Sequence, residues 1–554
     1  MYTGKQIFME TLVAENVDYI FGNPGTTELP LIDALLDYPQ ISYIMALHEA
    51  VAVSMADAYA HASGQVAVVN LHVAPGLGNG LGSVYNAWEG QTPMVVTAGQ
   101  QNSKLRLREP LLGHDLVAMA APVVKWSVQA ESADELPLIM NRAFKTAREA
   151  PSGPVFVSLP MNVMEQKTHN APIAPSTIYH RVHPDTQGLE VAAQHLVTAE
   201  NPVIVFGDKI AASGANTALV ELAENIGARV YAEILPSRLS FPNQHPCFKG
   251  RLPQDHAQIR AQIGDADVVL LAGGEFFEEI WYADESPFGE QTVRIQIDPS
   301  PVNMARNHRV DCGLIADPQV CLTALGKAVD ALAADKHKDA AAERMMRLTG
   351  QKEAEWEQQM GKARNVAGNK AMSAARLMVE LSASLPANVA VSGEPITSGL
   401  DMLRTLSFNT PSDYLAARGG GIGQGLPSTI GMKLAMPDRP VLCLSGDGSA
   451  MYTIQALWTA VHHDIPVVFL ILNNGAYRIL KLNMNRYRKE SKLKGRGYQH
   501  LDLAEPQLDF VALAKGMGVE ATRIENPEDV GPAIKRAFES NQPWVLDVVI
   551  DGSI

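Results

Sequence analysis

Cysteine is scarce in this 554-residue chain: Cys247, Cys312, Cys321 and Cys443 are the only four, and none makes a CxxC spacing. Neither a cysteine zinc site nor a disulfide framework is indicated. Basic charge is also in the minority, with 45 Lys and Arg against 60 Asp and Glu and a formal net charge of −15. This disfavours nucleic acid or an anionic membrane surface as the main partner, but it does not bear on a small anionic substrate, which answers to local charge. No uninterrupted apolar run reaches the roughly 18 residues of a membrane span. The amino end leads into an amphipathic stretch with acidic residues rather than a signal peptide, so the cytoplasm is the simplest location. Between about 202 and 298 the α/β pattern contains no GxGxxG fingerprint, which leaves little support for an NAD site. What is present, 46% hydrophobic and 19% charged residues, is the composition of an ordinary globular protein, and the length points to about three or four domains.

The most informative stretch lies near the carboxyl end. Val441 to Leu444 reads as a buried parallel strand, followed by Ser445-Gly446-Asp447-Gly448-Ser449; after a helical segment, Ile465 to Leu472 reads as a second strand, ending in Asn473-Asn474-Gly475. Gly446 and Gly448 allow a sharp turn and a close approach to a ligand, and backbone N–H groups at the following helix start can hold phosphate oxygens. Asp447 and Asn474, 27 residues apart, both sit just past strand ends, where an open parallel sheet gathers its ligands, and both offer hard oxygen atoms. The combination suits magnesium on a diphosphate. A GDG alone is weak, but paired with the NNG at this spacing, with a strand-like run before each, it is specific.

Earlier in the chain, strand-like runs again deliver polar residues at their ends. Val17 to Gly22 is followed by Asn23-Pro24-Gly25-Thr26-Thr27, a constrained turn before a helix beginning at Glu28-Leu29-Pro30. Ile41 to Leu47 delivers His48 and Glu49, and the small apolar run 50 to 60 fits a closely packed helix, so Glu49 is a carboxylate at the edge of a dry region, suited to sharing a proton with a ligand nitrogen. Gln65 to Leu71 ends at His72, with Val73 to Gly80 expected as a glycine-rich loop. Thr26, Glu49 and His72 thus follow successive strands, positions that converge in this architecture. His114, on a polar turn, is either a further cleft residue or a surface one.

The whole chain is expected to be α/β, with three doubly wound parallel-sheet domains at 1–165, 185–330 and 371–554. A Pro-, Ser- and Thr-rich linker runs from Glu165 to His183, and an Ala-rich charged stretch from Lys327 to Lys370 is expected as a surface helical connector.

FGNPGTTELP at 21 to 30, LHEA at 47 to 50, NLHVAPGLGN at 70 to 79, NAWEGQTPMVVTAGQQ at 86 to 101, GGGIGQGLPSTIG at 419 to 431, GDGSAMYTIQALWTA at 446 to 460 and NNGAY at 473 to 477 together resemble the thiamine-diphosphate-dependent 2-oxo-acid decarboxylases and carboligases, in particular their benzoylformate decarboxylase branch. The resemblance implies pyrimidine-binding, middle and diphosphate-binding domains in that order, and a homodimer or homotetramer with active sites between subunits. It implies that Glu49 bonds the pyrimidine ring, that the Gly420 carbonyl receives the ring's amino group and that Ile422 props the cofactor in a bent form. It further implies Asp447, Asn474 and the Ala476 carbonyl as magnesium ligands, with Thr397, Gly448 and Ser449 at the diphosphate. Thr26 stands where this branch has a serine on the substrate carboxylate, and His72 matches one of its two active-site histidines.

Two departures bear on the substrate. The second histidine is missing, with Ile280 at about its place, and Arg478 to Arg496 is unusually basic: either a solvated face or a lid for an anionic substrate. The implied activity is magnesium-dependent, non-oxidative decarboxylation of a small 2-oxo acid to an aldehyde, with carboligation. The alternatives are an acetolactate-synthase-like carboligase, an acyl-CoA lyase and a non-catalytic cofactor-binding relative.

Overall fold

The computed structural model describes residues 1–364 and 371–554. Three six-stranded sheets account for the architecture. In the first the spatial order is Ser42–Met45, Tyr19–Gly22, Ala67–Leu71, Met94–Gln100, Pro154–Pro160, Ser127–Gln129, all pairing in parallel. The short strand Ser127–Gln129 carries no apolar run and could not be picked out by hydrophobicity. In the third the order is Tyr414–Leu415, Ala390–Glu394, Val441–Gly446, Val468–Asn473, Trp544–Val549, Glu520–Ile524. Central strands of both sheets are buried along their length, which is why they read as near-continuous apolar runs, interrupted by single polar residues such as Asn70, Thr97 and Ser158, rather than as alternations.

The chain divides into two compact units. One holds Met1–Thr177, the segment ending at Gly399, and Leu415–Ile554, and so contains the first and third sheets. One core runs continuously from Val51, Leu71 and Val96 to Leu426, Cys443 and Phe469. Two helices make the join: Glu49–Ser63 packs on Gly425–Ala435, and Gly431 lies so close to the Met55 carbonyl that any side chain there would collide with it. His463 adds a polar tie, its Nε2 accepting the Met45 N–H at 2.8 Å.

The second unit contains the middle sheet, in the order Phe248–Arg251, Arg229–Ala232, Val203–Phe206, Val268–Ala272, Val293–Asp298, Cys312–Ile315. Where the strand order reverses, Lys209 is buried between Glu275 Oε1 at 2.9 Å and Asp298 Oδ2 at 2.8 Å, so the crevice usual for a ligand in such sheets holds an internal ion cluster.

Two sequence expectations need correction. Val73 to Gly80 is not a loop: helix Val73–Glu89 begins at once after His72. Its glycines are there for proximity, because a Cβ on Gly76 would stand 2.8 Å from Glu49 Oε1 and one on Gly80 3.2 Å from Leu71. The stretch from Lys327 is helical and largely exposed over 335–363, as expected, but it belongs to the middle unit and is no free connector. Helix Pro318–Leu332 runs through the expected 330 boundary, and the 30-residue helix Asp335–Arg364 is anchored to the middle unit, Arg344 donating to the Ile226 carbonyl at 2.8 Å and Leu348 being buried. The part of that expectation from 365 to 370 lies outside the described residues. Among the described residues no helix is long and apolar enough to cross a membrane.

Candidate active site

Asp447 opens the short helix Asp447–Ala450 directly after strand Val441–Gly446, and its side chain is 2% exposed. Oδ1 accepts the Gly448 N–H at 2.8 Å, and Oδ2 accepts the N–H groups of Asn474 at 3.1 Å and Gly475 at 2.7 Å. The two loops after neighbouring strands are thereby locked around one carboxylate. Burial raises the pKa of Asp447, against the lowering effect of those backbone donors. A cation on the remaining lone pairs would offset the burial. Asn474 Oδ1 accepts the Ala476 N–H at 3.0 Å, and the Ala476 carbonyl accepts from Arg478 at 2.9 Å while keeping its second lone pair.

Among the described residues no group of three or more His, Cys, Asp or Glu could hold a metal. The donor set here, one carboxylate, one amide and one peptide oxygen, fits a hard dication that takes its other ligands from phosphate oxygens and water. Gly448 packs so closely on the Tyr477 ring that no side chain could be accommodated, and Ser449 beside it is buried.

The glycine-rich stretch 419–425 is the next wall. Gly419, Gly420 and Gly423 have φ of 86°, 78° and 99°, in the region open to glycine. A side chain added at Gly420 would meet nothing within 4 Å, so open space adjoins this backbone. Asn86 grips the peptide of Gly421, and Glu394 accepts the N–H groups of Gly423 at 3.0 Å and Gly425 at 3.1 Å. Glu394 is buried, and burial pushes its carboxyl up to about 7. Ile422 is half-buried between these anchors, and the Gln424 amide beside it is buried without a partner at either end. Thr397 sits in the turn Ile396–Ser398 after the strand that carries Glu394.

The first sheet contributes a different cluster. Glu49 is the first residue of its helix, 6% exposed, and accepts from Asn79 Nδ2 at 3.0 Å. Gly76 separates it from His72. His72 Nδ1 lies 2.8 Å from Glu28 Oε2 and 3.3 Å from Thr27 Oγ1. Glu28, 2% exposed, is itself held by Thr27 Oγ1 and by the N–H groups of Gly99 and Gly25. Thr26 is exposed in the same turn. Sequence reading passed over Thr27 and Glu28; the available signal was a carboxylate two residues beyond Thr26 in the same strand-end turn.

His114 lines a cavity of about 620 Å³ with Gln100 and Arg106, and its carbonyl accepts from Gln100 Nε2 at 2.9 Å. Ile280 is exposed in the middle unit, beside a cavity that also takes in His256 and His308, neither evident as a pair in sequence. Burial holds the His308 imidazole down to about 4. The basic stretch after the NNG forms helix Arg478–Glu490, and part of its charge is already engaged: Arg486 pairs with Glu490 at 2.7 Å, Lys481 with Asp502, and Arg488 donates to the carbonyls of Arg496 and Gly497.

Three family descriptions match: "Thiamine pyrophosphate enzyme, N-terminal TPP binding domain" over residues 2–119, its central domain over 189–325 and its C-terminal TPP binding domain over 397–548. The chain is 32% identical to a benzoylformate decarboxylase of Pseudomonas aeruginosa, covering 99% of both sequences. It is 26% identical to the large subunit of acetolactate synthase isozyme 3 of Escherichia coli, covering 100% of this chain and 96% of that one. Among solved structures, a thiamine diphosphate-dependent 4-hydroxybenzoylformate decarboxylase of Rhodococcus jostii superposes with a TM-score of 0.87 at 29% identity, covering 99% of each chain.

Proposed function

The chain belongs to the thiamine pyrophosphate enzyme family as a carboxy-lyase or carboligase, and from that premise we propose that it decarboxylates a small 2-oxo acid non-oxidatively to an aldehyde, using thiamine diphosphate and magnesium. The observation that carries this reading is the pairing of Asp447 with the Asn474–Gly475 loop, a single buried carboxylate shaped for one dication and a diphosphate. When bound, thiamine diphosphate supplies the electron sink for cleavage of the bond to the carboxylate.

The chain's own residues have the following roles in this reading. Asp447, Asn474 and the Ala476 carbonyl hold the magnesium, and Thr397, Gly448 and Ser449 contact the diphosphate. Ile422 would support the bound cofactor, and the Gly420 carbonyl would accept from its amino group. Glu49 would exchange a proton with the pyrimidine ring nitrogen, its carboxylate positioned by the Asn79 amide and the close approach of Gly76. Thr26 orients the substrate carboxylate. His72 carries protons at the reacting carbon or oxygen; with Nδ1 against Glu28, Nε2 is the nitrogen left for that task. The three domains, 1–165, a middle one over 185–330 continued by helix Asp335–Arg364, and 371–554, assemble in this reading into a homodimer or homotetramer, with each active site between subunits.

Carbon dioxide release from benzoylformate, 4-hydroxybenzoylformate, pyruvate and a branched 2-oxo acid, each with and without cofactor and magnesium, tests the reading. Cofactor-dependent release with aldehyde as the product is expected; no release from any of them would overturn it. The acetolactate synthase similarity favours a second reading, carboligation as the main activity, which an acyloin as major product would establish.

A further inference from the structure

We propose that the middle unit carries an anion site for a small phosphate ester, in a cavity between the edge strand Phe248–Arg251, the long helix Asp335–Arg364 and the segment 400–414. The cavity measures about 470 Å³ and is lined by four cationic side chains, Lys249, Arg251, Lys352 and Arg404. Glu355 is the one carboxylate among its lining residues. Lys249 and Arg251 lie two apart on the same strand, with Gly250 between them at φ 111°.

Lys249 is the central observation. Its side chain is 9% exposed, and Nζ is enclosed with no hydrogen-bond partner. The nearest acid, Glu355, stands 3.6 Å away and is itself 55% exposed, so its interaction is screened by solvent. An ammonium taken out of water without an acceptor is costly, and an anion in the cavity would remove that cost. Lys352 donates to the Asn243 carbonyl at 2.7 Å and keeps two further N–H groups. Burial lowers the pKa of both lysines, and Lys249 and Arg404 both depress Lys352 further, which shows how closely these cations crowd one another. Asp401, the acid on the facing segment, is engaged by Gln359 at 3.2 Å.

The donor set selects the ligand class. Two guanidinium forks and two ammonium groups match the several acceptor oxygens of one phosphate, whereas a dicarboxylate would spread its charge over two ends. Phe248 and Leu403 on the cavity wall offer apolar surface to the body of an ester. This site is separate from the diphosphate-binding residues proposed above and does not depend on their roles.

The test is calorimetric titration of the full chain saturated with thiamine diphosphate and magnesium, at constant ionic strength. Inorganic phosphate and glycerol 3-phosphate are the probes, with succinate as the dicarboxylate arm. Both phosphates are expected to bind, at least 10-fold more weakly to Lys249→Met and to Arg404→Ala, while cofactor affinity stays unchanged. Arg404 is exposed, so its variant keeps the test decisive if Lys249→Met does not fold. Absence of binding by both phosphates, equal affinity in wild type and the folded variants, or succinate binding as tightly as phosphate would each overturn the proposal.

Discussion

Asn86 closes a two-point clasp on the peptide of Gly421, its Nδ2 donating to the Gly421 carbonyl at 3.0 Å and its Oδ1 accepting the Gly421 N–H at 3.1 Å. The residue sits near the carboxyl end of helix Val73–Glu89, whose first turn lies against Glu49 and His72. One helix therefore sets both the carboxylate cluster of the first sheet and the glycine-rich loop of the third. Removing the clasp in Asn86→Ala deletes two hydrogen bonds worth about 1 kcal/mol each. Cofactor affinity should fall roughly 10- to 30-fold, read by fluorescence titration with thiamine diphosphate. Wild-type affinity would show that the loop holds its shape without Asn86.

Asp447→Ala removes the carboxylate that ties the Gly448 and Asn474–Gly475 backbones together. The variant should lose the magnesium-dependent rise in melting temperature that cofactor produces in the wild type. A shift of normal size on adding magnesium and thiamine diphosphate would remove Asp447 from the metal site.

Glu28 is read as a positioning residue, acting through His72. Glu28→Gln keeps the shape but puts an NH2 group in place of one of two oxygens that each face two partners, Oε1 the Thr27 hydroxyl and the Gly99 N–H, Oε2 the Gly25 N–H and His72 Nδ1. We expect kcat to drop about 10- to 100-fold, part of the roughly 10²- to 10⁴-fold that general acid–base catalysis typically contributes, with cofactor affinity unchanged and partial rescue in Glu28→Asp. Equal losses in kcat and in cofactor affinity would point instead to a collapsed turn.

Glu394 gives a pH signature in the cofactor-free protein. Its carboxyl ordinarily titrates at 4.5 and is raised by burial to about 7 in the fold. Between those values the folded chain holds a proton that the unfolded chain has released, so stability falls as pH rises from about 4.5 and levels off above about 7. The span corresponds to roughly 3 kcal/mol. Denaturant titrations of wild type and Glu394→Gln across pH 4.5 to 8 check this: the stability difference should move against the wild type with rising pH. A difference that is flat across the range would rule the assignment out.

Much of the architecture was legible because parallel strands buried on both faces are apolar at nearly every position. Val68 to Leu71, Val155 to Leu159 and Val468 to Leu472 stood out for that reason. Edge strands such as Ser127–Gln129, Tyr414–Leu415 and Glu520–Ile524 are short or partly exposed, and their sequences carry no such mark. The 73–80 stretch misled because glycine usually signals a turn, while here it admits the Glu49 side chain against a helix.

By itself, the sequence determined the α/β class, the family and the motif positions, because strand-end polar residues at fixed spacing are local properties of the chain. Tertiary structure decided which of those residues meet. Thr27 and Glu28 became partners of His72 only when strands Tyr19–Gly22, Ala67–Leu71 and Met94–Gln100 were laid side by side, bringing residues 44 and 71 positions apart into hydrogen-bond contact. Asn86 reached Gly421 across 335 positions by tertiary packing too: helix Val73–Glu89 packs on Glu49–Ser63, which packs on Gly425–Ala435, and no local pattern brought the amide to the peptide. The cation-lined cavity of the middle unit is likewise assembled from a strand, a helix and a distant segment, and no window of sequence contains it.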